Sequence, residues 1–89
     1  MAAVTIALDA NGADAGSAEV ARGAALAAAA GDVRVLVFGP AGELEPADGV
    51  EIVDAPVSIA KAADPARAVR GNPEASIVQA VQAVAAGRA

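Results

Sequence analysis

The residues with the most chemical potential lie near the amino terminus, in the sequence DANGADAGS at positions 9–17. Its Asp, Asn, Gly and Ser residues tolerate unusual backbone angles or bond to their own backbone: Asp9, Asn11, Gly12, Asp14, Gly16 and Ser17. The alternating residues Val4, Ile6 and Leu8 precede this stretch and favour a buried β-strand, and the residues after it are typical of a helix. A strand, a flexible loop and a helix start predict the kind of crevice where open α/β sheets bind ligands.

Two interpretations of this loop stay open at the level of sequence. Gly12, Gly16 and Ser17 could present backbone N–H groups to a phosphate at the amino terminus of the helix. They would equally suit an ordinary strand-to-helix turn with Ser17 as the N-cap. The carboxylates of Asp9 and Asp14 repel an anion, so they are better suited to organising the loop or binding a positively charged neighbour.

Two residues outside the loop could also contact an anion. The guanidinium of Arg70 matches phosphate bidentately, although a solvated arginine in a helix's last turn is the simple alternative. Ser76 could donate to an anion, but a local backbone bond is the commoner use of such a serine. We expect Arg70 and residues 12–17 to lie on the same side of the sheet, where strand carboxyl ends meet.

The composition excludes several classes of function. The 89 residues carry 6 basic and 11 acidic side chains, and the sequence lacks Cys, His, Trp and Tyr. An acidic chain without aromatic platforms is not expected to bind nucleic acid. The missing Cys and His exclude disulfides, thiolate chemistry, zinc sites and Ser-His triads. No apolar run approaches the ~18 residues of a membrane span, and no signal-peptide pattern is present, so we expect a cytoplasmic protein.

The patterns along the chain predict a partial Rossmann-like α/β/α sandwich with about three mainly parallel strands. The strands are predicted at residues 4–9, 33–38 and 50–53, and the helices at about 18–30, 66–70 and 73–86. Asp64 followed by Pro65 is a typical helix start. Residues 39–49 are short for a parallel crossover, which usually needs a dozen or more residues. We expect a tight loop there, the alternative being that the second and third strands are not adjacent.

The helices also carry predictions about which faces are buried. The first should use Val20 and Ala24 toward the core, with Ala27 and Ala28 allowing close approach to the sheet. In the last helix Ile77, Val81 and Val84 follow a helical period and are expected to face the core, with Gln79 and Gln82 facing out. Because each Val or Ile replaced by Ala forgoes roughly 1.5 kcal/mol of burial, we expect an alanine-rich core to give modest stability.

Two blocks resemble the amino-terminal part of the PlsX family, the bacterial phosphate acyltransferases. The first is TIALDANGADAGS at positions 5–17; the second is VEIVDAPVSI at positions 50–59, continued by Asp64-Pro65, Ala68-Val69-Arg70, Ser76 and the closing residues 84–89. The resemblance implies transfer of a fatty acyl group from acyl carrier protein to inorganic phosphate, giving acyl phosphate for phospholipid synthesis. It implies no cofactor, a homodimer, and peripheral membrane association through sequence outside this chain. Residues 1–89 would then be a single amino-terminal α/β segment of a larger acyltransferase-like domain.

The sequence also departs from the family pattern. The family's loop resembles Asp-Ala-Met-Gly-Gly-Asp, a variable residue, then Gly-Pro, which Asn11, Ala13 and Ser17 do not match. Ala13 in place of Gly costs about 1–2 kcal/mol if that position needs a positive φ. The family's basic residues after Arg70 are missing as well. The alternative function is therefore a non-catalytic phosphate-binding or interaction domain derived from that family, and no catalytic residue can be assigned.

Overall fold

A computed structural model describes residues 4–12 and 15–89 as one parallel sheet with helices on both faces. The strands are β1 (Val4–Asp9), β2 (Val33–Gly39) and β3 (Val50–Asp54), paired in the order β1-β2-β3. The helices are α1 (Ser17–Ala29), α2 (Pro65–Gly71) and α3 (Ser76–Ala85), with a short 3₁₀ helix at Ala41–Glu43. This α/β arrangement confirms the predicted fold class and places every predicted element, with small shifts at the ends.

The central strand β2 builds a core on each face of the sheet because successive side chains of a strand point to opposite faces. Val35 and Val37 pack with Ala21 and Ala24 of α1, together with Ala10 and Leu44. Leu36 and Phe38 pack with Ala80 and Ala83 of α3, together with Ala55. Both faces of the central strand are therefore covered. The prediction that the first strand is buried is wrong for Val4 and Ile6, which are 64% and 45% exposed because β1 lies at an edge of the sheet, whereas Leu8 packs against the core.

The connection between β2 and β3 is the tight loop that the sequence predicted. Leu44 is only 5% exposed and occupies part of the space that a crossover helix would fill, packing with Val35 and Val37. Gly49 has a φ of +79°, and a Cβ there would lie 3.0 Å from that of Ala28. The loop therefore passes close over α1, which is possible because small residues line both sides.

The prediction for the buried face of α3 is wrong. Ile77, Val81 and Val84 are 39%, 62% and 57% exposed, whereas the residues that face the sheet are Ser76, Ala80 and Ala83. Small side chains let the helix approach the sheet closely enough to pack on the bulky side chains of β2. Gln82 is exposed as expected, but Gln79 is half-buried and donates to the carbonyl oxygen of Glu74 over 2.7 Å.

The first helix follows its prediction more closely. Ala24 is buried and the half-buried Val20 packs against the same cluster, while Ala28 meets the loop at Gly49. Ala27 is exposed. Within residues 4–12 and 15–89, no helix has the length and apolar character needed to cross a membrane.

Candidate functional site

A hydrogen-bonded cluster joins the carboxyl end of β1 to the amino end of α3. The hydroxyl of Ser76 donates to Oδ1 of Asp9 over 2.6 Å and accepts from Nδ2 of Asn11 over 3.0 Å. The backbone N–H of Asn11 donates to the same carboxylate oxygen over 3.0 Å. Ser76 is only 1% exposed. Its hydroxyl is therefore committed to this cluster and is buried away from any ligand.

The carboxamide of Asn11 extends the cluster to the segment that follows β3. Its Nδ2 donates to the carbonyl oxygen of Ala55 over 2.9 Å, and a weaker contact reaches that of Val57 at 3.5 Å. The backbone N–H of Ser76 donates to the carbonyl oxygen of Val57 over 2.9 Å. Three separate chain segments therefore meet here, because parallel strands end at the same edge of a sheet.

The start of α1 differs from its prediction by one residue. Ser17 is the first helical residue rather than the N-cap, and its hydroxyl donates to the carbonyl oxygen of Ala10 over 2.7 Å. Gly16 is the N-cap, and its φ of +91° turns the chain into the helix one residue earlier than a serine cap would. Without a side chain, Gly16 cannot cap the first N–H groups of α1. A helix start of this kind favours an anion.

Gly12 fixes the loop against the connection between β3 and α2. Its φ is +79°, and a Cβ at this position would collide with that of Ala60. That connection is itself ordered locally by the hydroxyl of Ser58, which accepts from the backbone N–H of Ala60 over 3.3 Å. Gly12 is therefore needed both for its backbone angle and for the close approach of the two loops.

Arg70 lies near the end of α2 and is exposed. The helix begins as predicted, with Pro65 after an N-cap Asp64 whose Oδ1 accepts from the backbone N–H of Arg67 over 3.1 Å. None of the hydrogen bonds or ion pairs between residues that the structure describes includes the guanidinium of Arg70. The shared site of Arg70 and residues 12–17 stays a prediction.

The eight candidate residues thus fall into groups. Asp9, Asn11 and Ser76 form the cluster, Gly12 and Gly16 belong to the adjoining loop, and Ser17 begins α1. Asp14 lies outside the described residues, as does Ala13. In the part of the chain that the structure describes, no three His, Cys, Asp or Glu side chains are grouped to hold a metal ion.

Asp54 was expected at this edge because it ends the third strand, but its contact was not predicted, and neither were two backbone acceptors. Oδ1 of Asp54 accepts from the backbone N–H of Ala41 over 3.1 Å, which anchors the tight loop after β2. The carbonyl oxygens of Ala55 and Val57 receive the Asn11 carboxamide, and no sequence pattern marks a backbone acceptor. The one usable signal was Asn11 itself, an amide at a position where the resembled pattern has an apolar side chain.

Comparisons with known proteins agree on one family. The sequence model of a family described as "Fatty acid synthesis protein" matches residues 4–89. A curated relative from Levilactobacillus brevis, named phosphate acyltransferase, is 39% identical over 89 residues. That alignment covers 94% of this chain and 26% of the relative. The chain therefore spans about a quarter of the relative's length, and the family match includes both the cluster and the loop.

Proposed function

The chain belongs to the fatty acid synthesis protein family, known as PlsX, and on that premise we propose that it forms one wall of the phosphate site of a phosphate acyltransferase. The reaction would transfer a fatty acyl group from acyl carrier protein to inorganic phosphate. Its product would be an acyl phosphate for phospholipid synthesis. Support comes from the family match over residues 4–89 and from the name of the relative, which belongs to a protein about four times longer.

The observation that carries the proposal is the amino terminus of α1. Gly16 provides no side-chain cap for its first N–H groups, and the helix is long enough, at 13 residues, to have a positive amino end. The one carboxylate in the first turn, Glu19, pairs with Arg22 over 2.7 Å, which offsets its repulsion of an anion. A phosphate at this position would receive backbone N–H bonds together with the favourable field of the helix.

The proposed chemistry needs positioning and charge stabilisation rather than a cofactor. A phosphate oxygen attacks the thioester carbonyl carbon, the new C–O bond forms, and the C–S bond breaks as the carrier thiolate leaves. Phosphate is already ionised at neutral pH, so no general base is required. The loop would hold the phosphate, and Arg70 would bind two of its oxygens with a bidentate fork. Asp9, held by Asn11 and Ser76, would organise the loop rather than touch the anion.

We also propose a cellular location, an oligomeric state and substrates for the enzyme. Residues 1–89 would be the amino-terminal segment of a larger acyltransferase-like domain, working in the cytoplasm as a homodimer. Acyl carrier protein would be the donor and inorganic phosphate the acceptor, with peripheral membrane association supplied by sequence outside residues 1–89.

An acyl-transfer assay tests this function on the intact natural polypeptide that carries the segment. Acyl phosphate formed from acyl carrier protein and phosphate is measured over a range of phosphate concentrations. Arg70→Ala should weaken phosphate use by about 1.5–3 kcal/mol, the range for hydrogen bonds to charged groups. Arg70→Lys should recover only part of that loss because a point charge cannot reproduce the fork.

Arg67→Ala is the matched control for this assay, since Arg67 is also exposed on α2 and lies three residues earlier. It should leave phosphate use close to that of the unaltered protein. An Arg70→Ala enzyme with unchanged phosphate dependence would overturn the role of Arg70. An unaltered protein that forms no acyl phosphate would overturn the acyltransferase itself.

One observation favours the second candidate, a non-catalytic phosphate-binding or interaction domain. Asn72, at a position where the family commonly has a basic residue, donates through Nδ2 to the carbonyl oxygen of Ala68 over 2.8 Å. Its side chain thus closes α2 and contributes no positive charge beside Arg70. Saturable binding of phosphate without any acyl phosphate formation would favour this second candidate over the enzyme.

A further inference from the structure

We propose that Asn11 is a positioning residue that pins the start of the β1–α1 loop to the rest of the sheet edge. Asn11 stands where the resembled family pattern has methionine, so the pin would be a feature of this chain rather than of the family. The part of the inference that concerns phosphate rests on the proposed function. The part that concerns the loop does not.

The geometry of the carboxamide carries the inference. A carboxamide has two N–H donors, and the two short bonds from Nδ2 go to the carbonyl oxygen of Ala55 at 2.9 Å and to Oγ of Ser76 at 3.0 Å. These partners lie 44 and 65 residues away along the chain. One side chain therefore cross-links the end of β1 to the segment after β3 and to the first turn of α3.

The bond acceptors are themselves held in place. Ala55 is fully buried and its backbone N–H donates to the carbonyl oxygen of Gly39 on β2 over 2.8 Å. Ser76 is buried and donates to Asp9, which in turn accepts from the backbone N–H of Asn11. The side chain and the backbone of Asn11 are thus anchored at once. A methionine has no side-chain N–H group and could donate none of these bonds.

The bonds of Asn11 affect the loop because Gly12 is the next residue along the chain. Asn11 fixes the start of residues 12–17, and the hydroxyl of Ser17 fixes their end by donating to the carbonyl oxygen of Ala10. With these anchors, the N–H groups of Gly12 and Gly16 are held in one arrangement, so less order has to be created when an anion binds. Loss of the Asn11 pin should therefore loosen the loop and weaken phosphate binding.

Hydrogen exchange measured by NMR on the full chain tests the pin directly. The carboxamide protons of Asn11 should exchange at least about tenfold more slowly than those of Gln82, an exposed carboxamide that serves as the internal reference. In Asn11→Ala the NMR order parameters of the Gly12 and Gly16 backbone amides should fall from about 0.85 to below about 0.6, while that of Val37 in the central strand keeps its value. Asn11→Met should behave like Asn11→Ala.

Leu44→Ala is the control for general loss of stability, since Leu44 is buried in the core on the other face of the sheet from α3. It should speed exchange across the sheet without lowering the order parameters of Gly12 and Gly16. Asn11 carboxamide protons that exchange as fast as those of Gln82 would overturn the proposal. So would an Asn11→Ala chain in which Gly12 and Gly16 keep the order parameters of the unaltered chain.

A second variant and a second measurement apply if Asn11→Ala does not fold or if the unaltered chain binds no phosphate. If Asn11→Ala does not fold, Ser76→Ala removes one of the two partners, and the Asn11 carboxamide should then exchange about fivefold faster. Titration with inorganic phosphate should show binding weakened about fivefold to tenfold in Asn11→Met. If the unaltered chain binds no phosphate, the proposed function fails, while the exchange rates still decide whether Asn11 positions the loop.

Discussion

The amino termini of α1 and α3 lie at the same edge of the sheet and differ in what their first residues are bonded to. At α3, Ala75 and Ser76 are buried, and the backbone and hydroxyl of Ser76 are both bonded to neighbouring segments. At α1, Ala15 and Gly16 are exposed, and the N-cap residue has no side chain with which to cap the helix. The two helices have similar dipoles, so the difference lies in what surrounds them. One end is a structural joint, and the other is the end that we propose binds an anion.

The comparison also explains how an acidic residue can border an anion site. Asp9 is bonded to the start of α3, because its Oδ1 accepts from the hydroxyl of Ser76. The same oxygen accepts from the backbone N–H of Asn11. Hydrogen bonds of this charge-assisted kind are strong and hold the carboxylate in one orientation. Asp9 therefore stabilises the contact between the end of β1 and the start of α3, and the positive end of α1 is left for the anion that we propose.

The largest effect on stability is expected at Gly12, where the loop after β1 lies against the connection between β3 and α2. Gly12→Ala combines a positive φ with a collision against Ala60, so it should lower the free energy of unfolding by about 2–4 kcal/mol. Gly87→Ala is the matched control, because Gly87 has a φ of +78°, yet a Cβ there would approach no described atom beyond its chain neighbours within 4 Å. It should cost about 1–2 kcal/mol. Chemical denaturation checks both values, and equal losses would contradict the close approach at Gly12.

A smaller effect on stability is expected from removing the hydroxyl of Ser76 at the start of α3. Ser76→Ala removes one hydrogen-bond partner from Asp9 and one from Asn11, so the free energy of unfolding should fall by about 1–3 kcal/mol. Ser17→Ala removes a single bond to a backbone oxygen at a half-buried site and should cost about 0.5–1.5 kcal/mol. Urea unfolding compares the two variants. A Ser17→Ala chain less stable than Ser76→Ala would reverse the assignment of the structural joint.

The smallest effect is expected on the outer face of α3. Val81 is 62% exposed, so Val81→Thr should change the free energy of unfolding by no more than about 0.5 kcal/mol. Ala83→Leu tests the opposite face, where overpacking against β2 should cost about 1–3 kcal/mol. Thermal unfolding of both variants measures the difference. A large loss at Val81 with none at Ala83 would mean that the helical period of the valines does mark the core face.

The sequence predicted secondary-structure elements correctly where a single residue pattern left few alternative structures. The apolar run at β2 and the Asp64-Pro65 pair each marked an element correctly, because burial on both faces and a preset φ leave few alternatives. The face of α3 was misjudged because both faces of that helix are apolar, so the period indicated a helix without saying which face is buried. The face with the smaller side chains packs on the sheet because these side chains let the helix approach it closely. Ala80 is therefore buried and Val81 is exposed.

The candidate site was predictable as a place but not as a set of contacts. A strand followed by a Gly-rich loop marked the sheet edge from sequence alone. The partners of Asn11 could not be predicted, because Ala55 contributes a backbone oxygen whose position depends on how β3 ends. Ser17 has the residue type of a good cap, whereas the positive φ of Gly16 starts the helix one residue before a cap at Ser17 would allow.

Titration of the chain with inorganic phosphate, followed by the NMR signals of the backbone amides, tests whether the start of α1 binds an anion. We expect saturable shifts at Gly16, Ser17 and Ala18, where α1 begins, and little change at Ala75 and Ser76, where α3 begins. Sodium chloride at matched ionic strength is the control, since a general salt effect would move both helix starts. Saturable shifts at the start of α3, or none at the start of α1, would contradict the proposed anion site.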